Sequence, residues 1–202
     1  MPARTSKAQA RSHKDDYDIA KRALDKDSLF LVLHRIPDQK KPGLYLWSLV
    51  SVDHKGDAIH YHCFGRSKDE DGEEVSGDHF WEELQHRRIE TFSDLGSRYR
   101  SVRTIAYLRV KGYKTSVDIV EALWETVDEH SATVDDAWDP KSDSDRSRAW
   151  TLRAIEKLAA LRIIIKSKSA RAQLESNVLD KARQAEKMWK ANPNYQPAVE
   201  EV

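Results

Sequence analysis

The chain has 202 residues, with 34 basic and 34 acidic side chains and an apolar share of 39%. That length suits one domain with short tails, and the apolar residues come in periodic runs that a disordered chain would lack. A formal net charge of zero argues against a dedicated nucleic-acid binder, which carries a basic excess, and gives no attraction to anionic membrane surfaces.

Residues 1–14 hold four basic residues and no acid, without an apolar core. They read as a disordered tail and not as a secretory signal. Residues 15–25 fit a short helix with Ile19, Ala23 and Leu24 on one face. The run Ser28 to Ile36 is almost wholly apolar and is stopped by Pro37. That pattern predicts a strand buried on both faces. Residues 37–43 form a loop by their proline and glycine content.

A second β-rich run covers 44–52 and a third covers 58–64. The short connection Asp53 to Asp57, with Gly56 free to take a positive φ, predicts an antiparallel hairpin. Alternation puts Ala58, His60, His62 and Phe64 on one face of the third strand, a semi-exposed one. Ile59, Tyr61 and Cys63 take the other. Cys63 is the one cysteine, so no internal disulfide staples the fold. A reducing compartment is expected, the cytoplasm first and the nucleus second.

Residues 65–78 carry six acids against two bases and read as a solvated insertion. Residues 79–88 fit strand or helix equally. Residues 101–110 alternate Val102, Thr104, Ala106, Leu108 and Val110 against Arg103, Ile105, Tyr107 and Arg109, a strand with one buried face. The remainder is helical. Over 115–128 Val117, Val120, Trp124 and Val127 recur at helical steps, which places Trp124 in the core. A polar connection covers 129–145. From near Asp145 to Ile165 the apolar side is Trp150, Leu152, Ile155, Leu158, Ala159 and Leu161. A charged helix over 169–190 aligns Leu174, Val178, Ala182, Ala185 and Trp189 and stops before Pro193.

Strands come first and helices later, an α+β order with an antiparallel sheet of about four to five strands packed against C-terminal helices. The expected organisation is a tail over 1–14, a domain over 15–168, helix 169–190 packed on that domain, and a disordered tail over 191–202. No run approaches the roughly 20 apolar residues needed to span a bilayer.

Chemical motifs are sparse. His60 and His62 share a strand face, with His54 and His79 nearby in sequence. A structural zinc site takes four ligands, and Cys63 faces away from this pair. No metal is expected. With 7 glycines and no glycine-rich phosphate cradle, no nucleotide cofactor is expected either. Trp47 and Trp150 lie on periodic apolar faces and read as core. Trp138, in the polar connection, is free to serve a ligand.

One arrangement is familiar. The strand Leu29–Arg35 precedes Pro42-Gly43-Leu44-Tyr45-Leu46-Trp47-Ser48-Leu49-Val50, then Ile59-His60-Tyr61-His62, and much later Ser147-Arg148-Ala149-Trp150-Thr151-Leu152 opens a helix. Over about residues 28–165 this resembles an uncharacterised fungal family with a circularly permuted papain-like fold, similar to the NlpC-type peptidases and lecithin retinol acyltransferase. Such proteins carry a His-Trp pair on one strand, a second His on the next, and an Asn-Cys pair at a helix start. The resemblance puts the catalytic His on Leu46, the orienting His on His60 or else His62, the nucleophilic Cys on Ser147 and its Asn neighbour on Arg146. It implies a cleft bordered by Leu46, Trp47, His60, His62, Arg146, Ser147 and Trp150.

In that chemistry a helix N-terminus stabilises a thiolate and an adjacent imidazole serves as base. Here the base position is leucine and the thiol a hydroxyl. The resemblance therefore implies a catalytically inactive relative acting as a binding or interaction module, with a protein or small-molecule partner and no membrane partner. Two alternatives stand beside it. One is an active hydrolase or acyltransferase with Ser147 as nucleophile and His60 or His62 as base. The other is nucleic-acid binding through Arg98, Arg100, Arg103, Arg109, Lys111 and Lys114.

Overall fold

The computed structural model describes residues 25–35, 43–66, 81–89, 103–114, 119–127, 140–165, 167–192, 195 and 197–202. The strands are β1 (Ser28–Arg35), β2 (Tyr45–Val52), β3 (Ala58–Arg66), β4 (Trp81–Ile89), β5 (Arg103–Arg109) and β6 (Val199–Glu201). The helices are α1 (Val120–Trp124), α2 (Pro140–Ala160), α3 (Lys168–Ala172) and α4 (Leu174–Ala191). The strands form one sheet in the order β4-β3-β2-β1-β5-β6. All pairs are antiparallel except β5 with β6, which is parallel. The α+β architecture read from the sequence is therefore present, with the C-terminal helices packed on the sheet: α2 lies over β2 and β3, and α4 over β5.

β1 sits mid-sheet and is buried on both sides, as its unbroken apolar run requires. Leu29, Leu31 and Leu33 join the larger core, with Trp47, Leu49 and Tyr61 from the sheet and Trp150, Leu158 and Val178 from the helices. Phe30 and Val32 turn the other way, to Val50, Val52, Ala58 and Ile89. No helical residue is among the buried members of that second cluster.

The β2–β3 hairpin closes as expected. Asp53 Oδ1 accepts the backbone N–H groups of Lys55, Gly56 and Asp57, each at 2.8 Å, and Gly56 takes φ +95°. Desolvation pushes the Asp53 carboxyl up, but these three donors outweigh it and hold it below the usual carboxylate range.

Several expectations need correction. The segment 191–202, expected as a disordered tail, carries β6. Val202 N–H donates to the Arg109 carbonyl at 3.0 Å, and Lys111 N–H to the Val202 carbonyl at 3.1 Å. The sheet thus gains a sixth strand. The run 79–88, which fitted strand or helix, is strand from Trp81 onward, in β4, and residues 79 and 80 lie outside the described residues. The alternation over 101–110 is interrupted by a bulge opposite Leu33 and His34. Ile105 therefore joins the larger core beside Ala106 and Leu108 instead of facing water. In α1 it is Leu123 that is buried, while Trp124, about 100° further round a helix, is 45% exposed. α2 begins at Pro140, where proline's fixed φ suits a first turn. It stops at Ala160 because Arg162 turns left-handed at φ +60°, which leaves Leu161 exposed. The single helix expected over 169–190 is two, meeting at Gln173. Its stripe Leu174, Val178, Ala182 and Ala185 is buried on its own domain.

Beyond α2 the chain folds back on the segment after β5. Ile165 N–H donates to the Gly112 carbonyl and Lys114 N–H to the Ile163 carbonyl, both at 2.8 Å. Gly112 has φ +78°, and a Cβ there would lie 2.2 Å from the Ile165 oxygen, so only glycine fits. Of the solvated insertion expected over 65–78, residues 65 and 66 instead continue strand β3. Its remainder, the helix proposed for 15–25 and Trp138 lie outside the described residues, apart from Asp25.

Candidate functional site

The implied cleft lies where β2 and β3 part. Their pairing runs from Val52–Ala58 to Leu49–Tyr61. Nearer its start, β2 still offers the N–H groups of Tyr45 and Trp47 on that side. Helix α2 supplies what β3 does not. Ser144 Oγ accepts from Tyr45 N–H at 3.1 Å and Ser147 Oγ from Trp47 N–H at 3.2 Å. Ser147 in turn donates to the Ser144 carbonyl at 3.2 Å. Thr151 donates to the Ser147 carbonyl at 2.8 Å. Spaced at helical steps, these hydroxyls run down the face that also buries Trp150, Ala154 and Leu158. They finish the edge of a strand, a task backbone polarity imposes wherever a sheet ends under cover.

The structure separates the predicted site residues into two groups. Trp47, Ser147 and Trp150 are buried on the helix side or at its seam with β2. Leu46, His60 and His62 fall on the opposite face by strand alternation. Leu46 pairs with His34 across β1 and β2 and is half-buried, as is Arg146. The hydroxyl of Ser147 is thus engaged with a main-chain amide and a carbonyl, and no histidine is among its hydrogen-bond partners.

His60 and His62, expected on a semi-exposed face, are 4% and 9% exposed. Their rings stack with centroids 5.0 Å apart. A third histidine meets them: the His34 ring lies 6.4 Å from that of His60, edge to face. Sequence reasoning passed over His34 because it sits inside an apolar run. The only signal was its parity with Phe30 and Val32, and its neighbours become known only once strand register is fixed.

His34 is tightly held. Its Nδ1 is 3.0 Å from Thr104 Oγ1 and its Nε2 is 3.3 Å from Ser48 Oγ. Ser48 donates its own proton to the Val32 carbonyl at 3.4 Å. The Ser48 oxygen therefore acts as acceptor toward Nε2–H, and in the neutral ring Nδ1 accepts from the Thr104 hydroxyl. Among the described residues no group of three or more His, Cys, Asp or Glu side chains is placed to hold a metal. Cys63 is buried in the larger core, away from the histidines.

A second polar cluster stands at the start of β2. Tyr45 OH donates to Glu186 Oε2 at 2.9 Å. Glu186 Oε1 is 3.5 Å from Arg35 Nε and 3.0 Å from Lys190 Nζ. The Arg35 guanidinium also lies 5.0 Å from the centre of the Trp189 ring, a cation–π distance. Burial alone would raise the Glu186 carboxyl. The hydrogen bonds from Lys190 and Tyr45, with the charges of Lys190 and Arg35, outweigh that and hold it below the usual range. Burial first, then the bond to Glu186, pushes the Tyr45 hydroxyl well above its ordinary value. The cluster fastens α4 to the sheet.

The basic residues considered for nucleic acid are partly neutralised. Arg109 pairs with Asp25 and Lys111 with Glu201, both at 3.1 Å. Lys114 is exposed. Arg98 and Arg100 lie outside the described residues, as does the side chain of Arg103. No described helix is long and apolar enough to cross a membrane.

No protein family, curated protein or solved structure matches this chain.

Proposed function

We propose that this protein is a non-catalytic binding or interaction module, an inactive relative of the permuted papain-like hydrolases and acyltransferases. The observation that carries this reading is the state of the Ser147 hydroxyl. It accepts from Trp47 N–H and donates to the Ser144 carbonyl. A nucleophilic serine needs its proton directed at a base, and here that proton is directed at a peptide oxygen. The position that would carry the base is Leu46, which has no ionisable group. Ser147 also lies about two turns inside α2, which begins at Pro140, and not at a helix start where a thiolate or alkoxide would be stabilised. What the scaffold retains is a helix face docked on a strand, with two buried tryptophans beside it.

A fluorophosphonate probe, which labels activated serines, tests the reading on the full chain. Ser147 should stay unlabelled, and acyl thioesters and peptide substrates should turn over no faster with the protein than with its Ser147→Ala variant. Labelling of Ser147, or turnover abolished by that substitution, would overturn the proposal.

A further inference from the structure

The two edges of the sheet differ sharply. β6 is three residues long, and so short an edge offers little to an incoming strand. β4 is nine residues long. Its inner side pairs with β3 along its whole length, from Ala58–Ile89 to Arg66–Trp81. Among the described residues no strand lies on its outer side. A long open edge either repels other strands or takes one.

The sequence of β4 is Trp81-Glu82-Glu83-Leu84-Gln85-His86-Arg87-Arg88-Ile89. Its charges fall in two blocks of opposite sign, placed evenly about Gln85. We propose that β4 pairs antiparallel with β4 of a second copy of this chain, about a two-fold axis at Gln85, to make a homodimer with one continuous sheet.

In that register Glu82 stands opposite Arg88, Glu83 opposite Arg87, and Trp81 opposite Ile89. Each pairing recurs by symmetry, as an isologous contact requires. Directly opposed residues are the ones that interact most strongly across an antiparallel pair. Paired positions also share parity, so the backbone groups that point outward meet outward groups whichever parity that is. Shared parity also keeps each pair on one face. Leu84 belongs to the helix-side core and Ile89 to the opposite cluster. By strand alternation, positions 82 and 88 therefore fall on the helix face of the sheet, and positions 83 and 87 on the other. Moving the axis by one residue loses this match. With the axis at His86, Glu82 faces Glu90. With it at Leu84, Glu83 faces Gln85 and Arg87 faces Trp81.

The charge order also separates docking from protection. An edge that only repels would serve best with one sign of charge, because like charges opposite each other destabilise a pair. Two blocks of opposite sign do the reverse when the strand meets itself. Arg88 is ion-paired with Asp57 in the single chain. Its guanidinium has donors enough for a second carboxylate. α1, which packs beside β4, carries the exposed Trp124.

Sedimentation equilibrium on the full chain tests this with two charge variants, E82R/E83R and R87E/R88E. Wild type should sediment at twice the 23.3 kDa chain mass and shift toward the single-chain mass as salt rises. Each variant alone, with like charges opposed, should lose the dimer. A one-to-one mixture of the two should restore a two-chain species. The fourfold exchange E82R/E83R/R87E/R88E, self-complementary again, should dimerise alone and decides the matter if either double variant fails to show the wild-type circular dichroism. A wild type that stays at 23.3 kDa throughout, variants that associate as wild type does, or a mixture that remains monomeric would each overturn the proposal.

Discussion

Ser147 Oγ accepts the Trp47 N–H at 3.2 Å, which makes a helix side chain the hydrogen-bonding neighbour of a strand that β3 has left. Ser144 does the same for Tyr45 one helical turn earlier. Together they replace two rungs of a missing ladder. The cost of losing one is that of a buried amide without a partner, about 1–3 kcal/mol. Ser147→Ala should therefore lower stability by about that amount, and Ser144→Ala likewise. Ser147→Cys should not restore it, because sulfur is a weak acceptor. Urea midpoints of the three variants decide the point. A Ser147→Ala protein as stable as wild type would show that water or relaxation satisfies Trp47 instead.

The Glu186 cluster gives the fold a direction in pH. Its carboxyl is held below the ordinary value in the folded chain. A group with a depressed folded pKa contributes stability in full above its unfolded value, about 4.3 for glutamate. That contribution fades as pH falls through the folded value. Wild type should thus lose stability progressively as the solution is acidified below about pH 4.3. Glu186→Gln keeps an acceptor for the Tyr45 hydroxyl but removes the charge facing Arg35 and Lys190. Its stability should be lower at neutral pH and flatter toward acid. Denaturant titrations across that range measure both slopes. Parallel slopes would assign the acid sensitivity to other carboxylates.

How much of this was legible in the sequence follows from where the information resides. β1 was plain because burial on both faces writes itself as an unbroken apolar run. The β2–β3 hairpin was plain because Asp53 and Gly56 carry the turn chemistry locally. The apolar stripe of α4 was plain from its spacing. By contrast, β6 has the composition of a tail, and it becomes a strand only because Arg109 and Lys111 present backbone groups to it. The bulge that turns Ile105 inward depends on the pairing of β1 with β5, which no local pattern in β5 records. The site divided in the same way. Trp150 was placed at a buried helix face by periodicity, and the resemblance set Ser147 beside the β2 strand, although at a helix start that the structure puts at Pro140. The meeting of His34 with His60 joins strands that are not hydrogen-bonded to each other. It emerges only from the full strand order.

The short strand β6 makes a local, separable claim. Lys111 N–H bonds to Val202, while the neighbouring Val110 N–H bonds to the Leu29 carbonyl at 2.8 Å on the β1 side. Deleting residues 199–202 should therefore release the Lys111 amide to solvent exchange and leave the Val110 amide protected. The two backbone bonds of Val202 are worth about 1–3 kcal/mol together and loss of the β5–β6 ladder adds to that, while the surface ion pairs of Glu200 with Lys181 and Glu201 with Lys111 add little. Hydrogen exchange read residue by residue separates the outcomes. If both amides lost protection equally, β6 would be holding β5 on β1 rather than merely covering its edge. If neither did, the terminal segment would contribute nothing to the sheet.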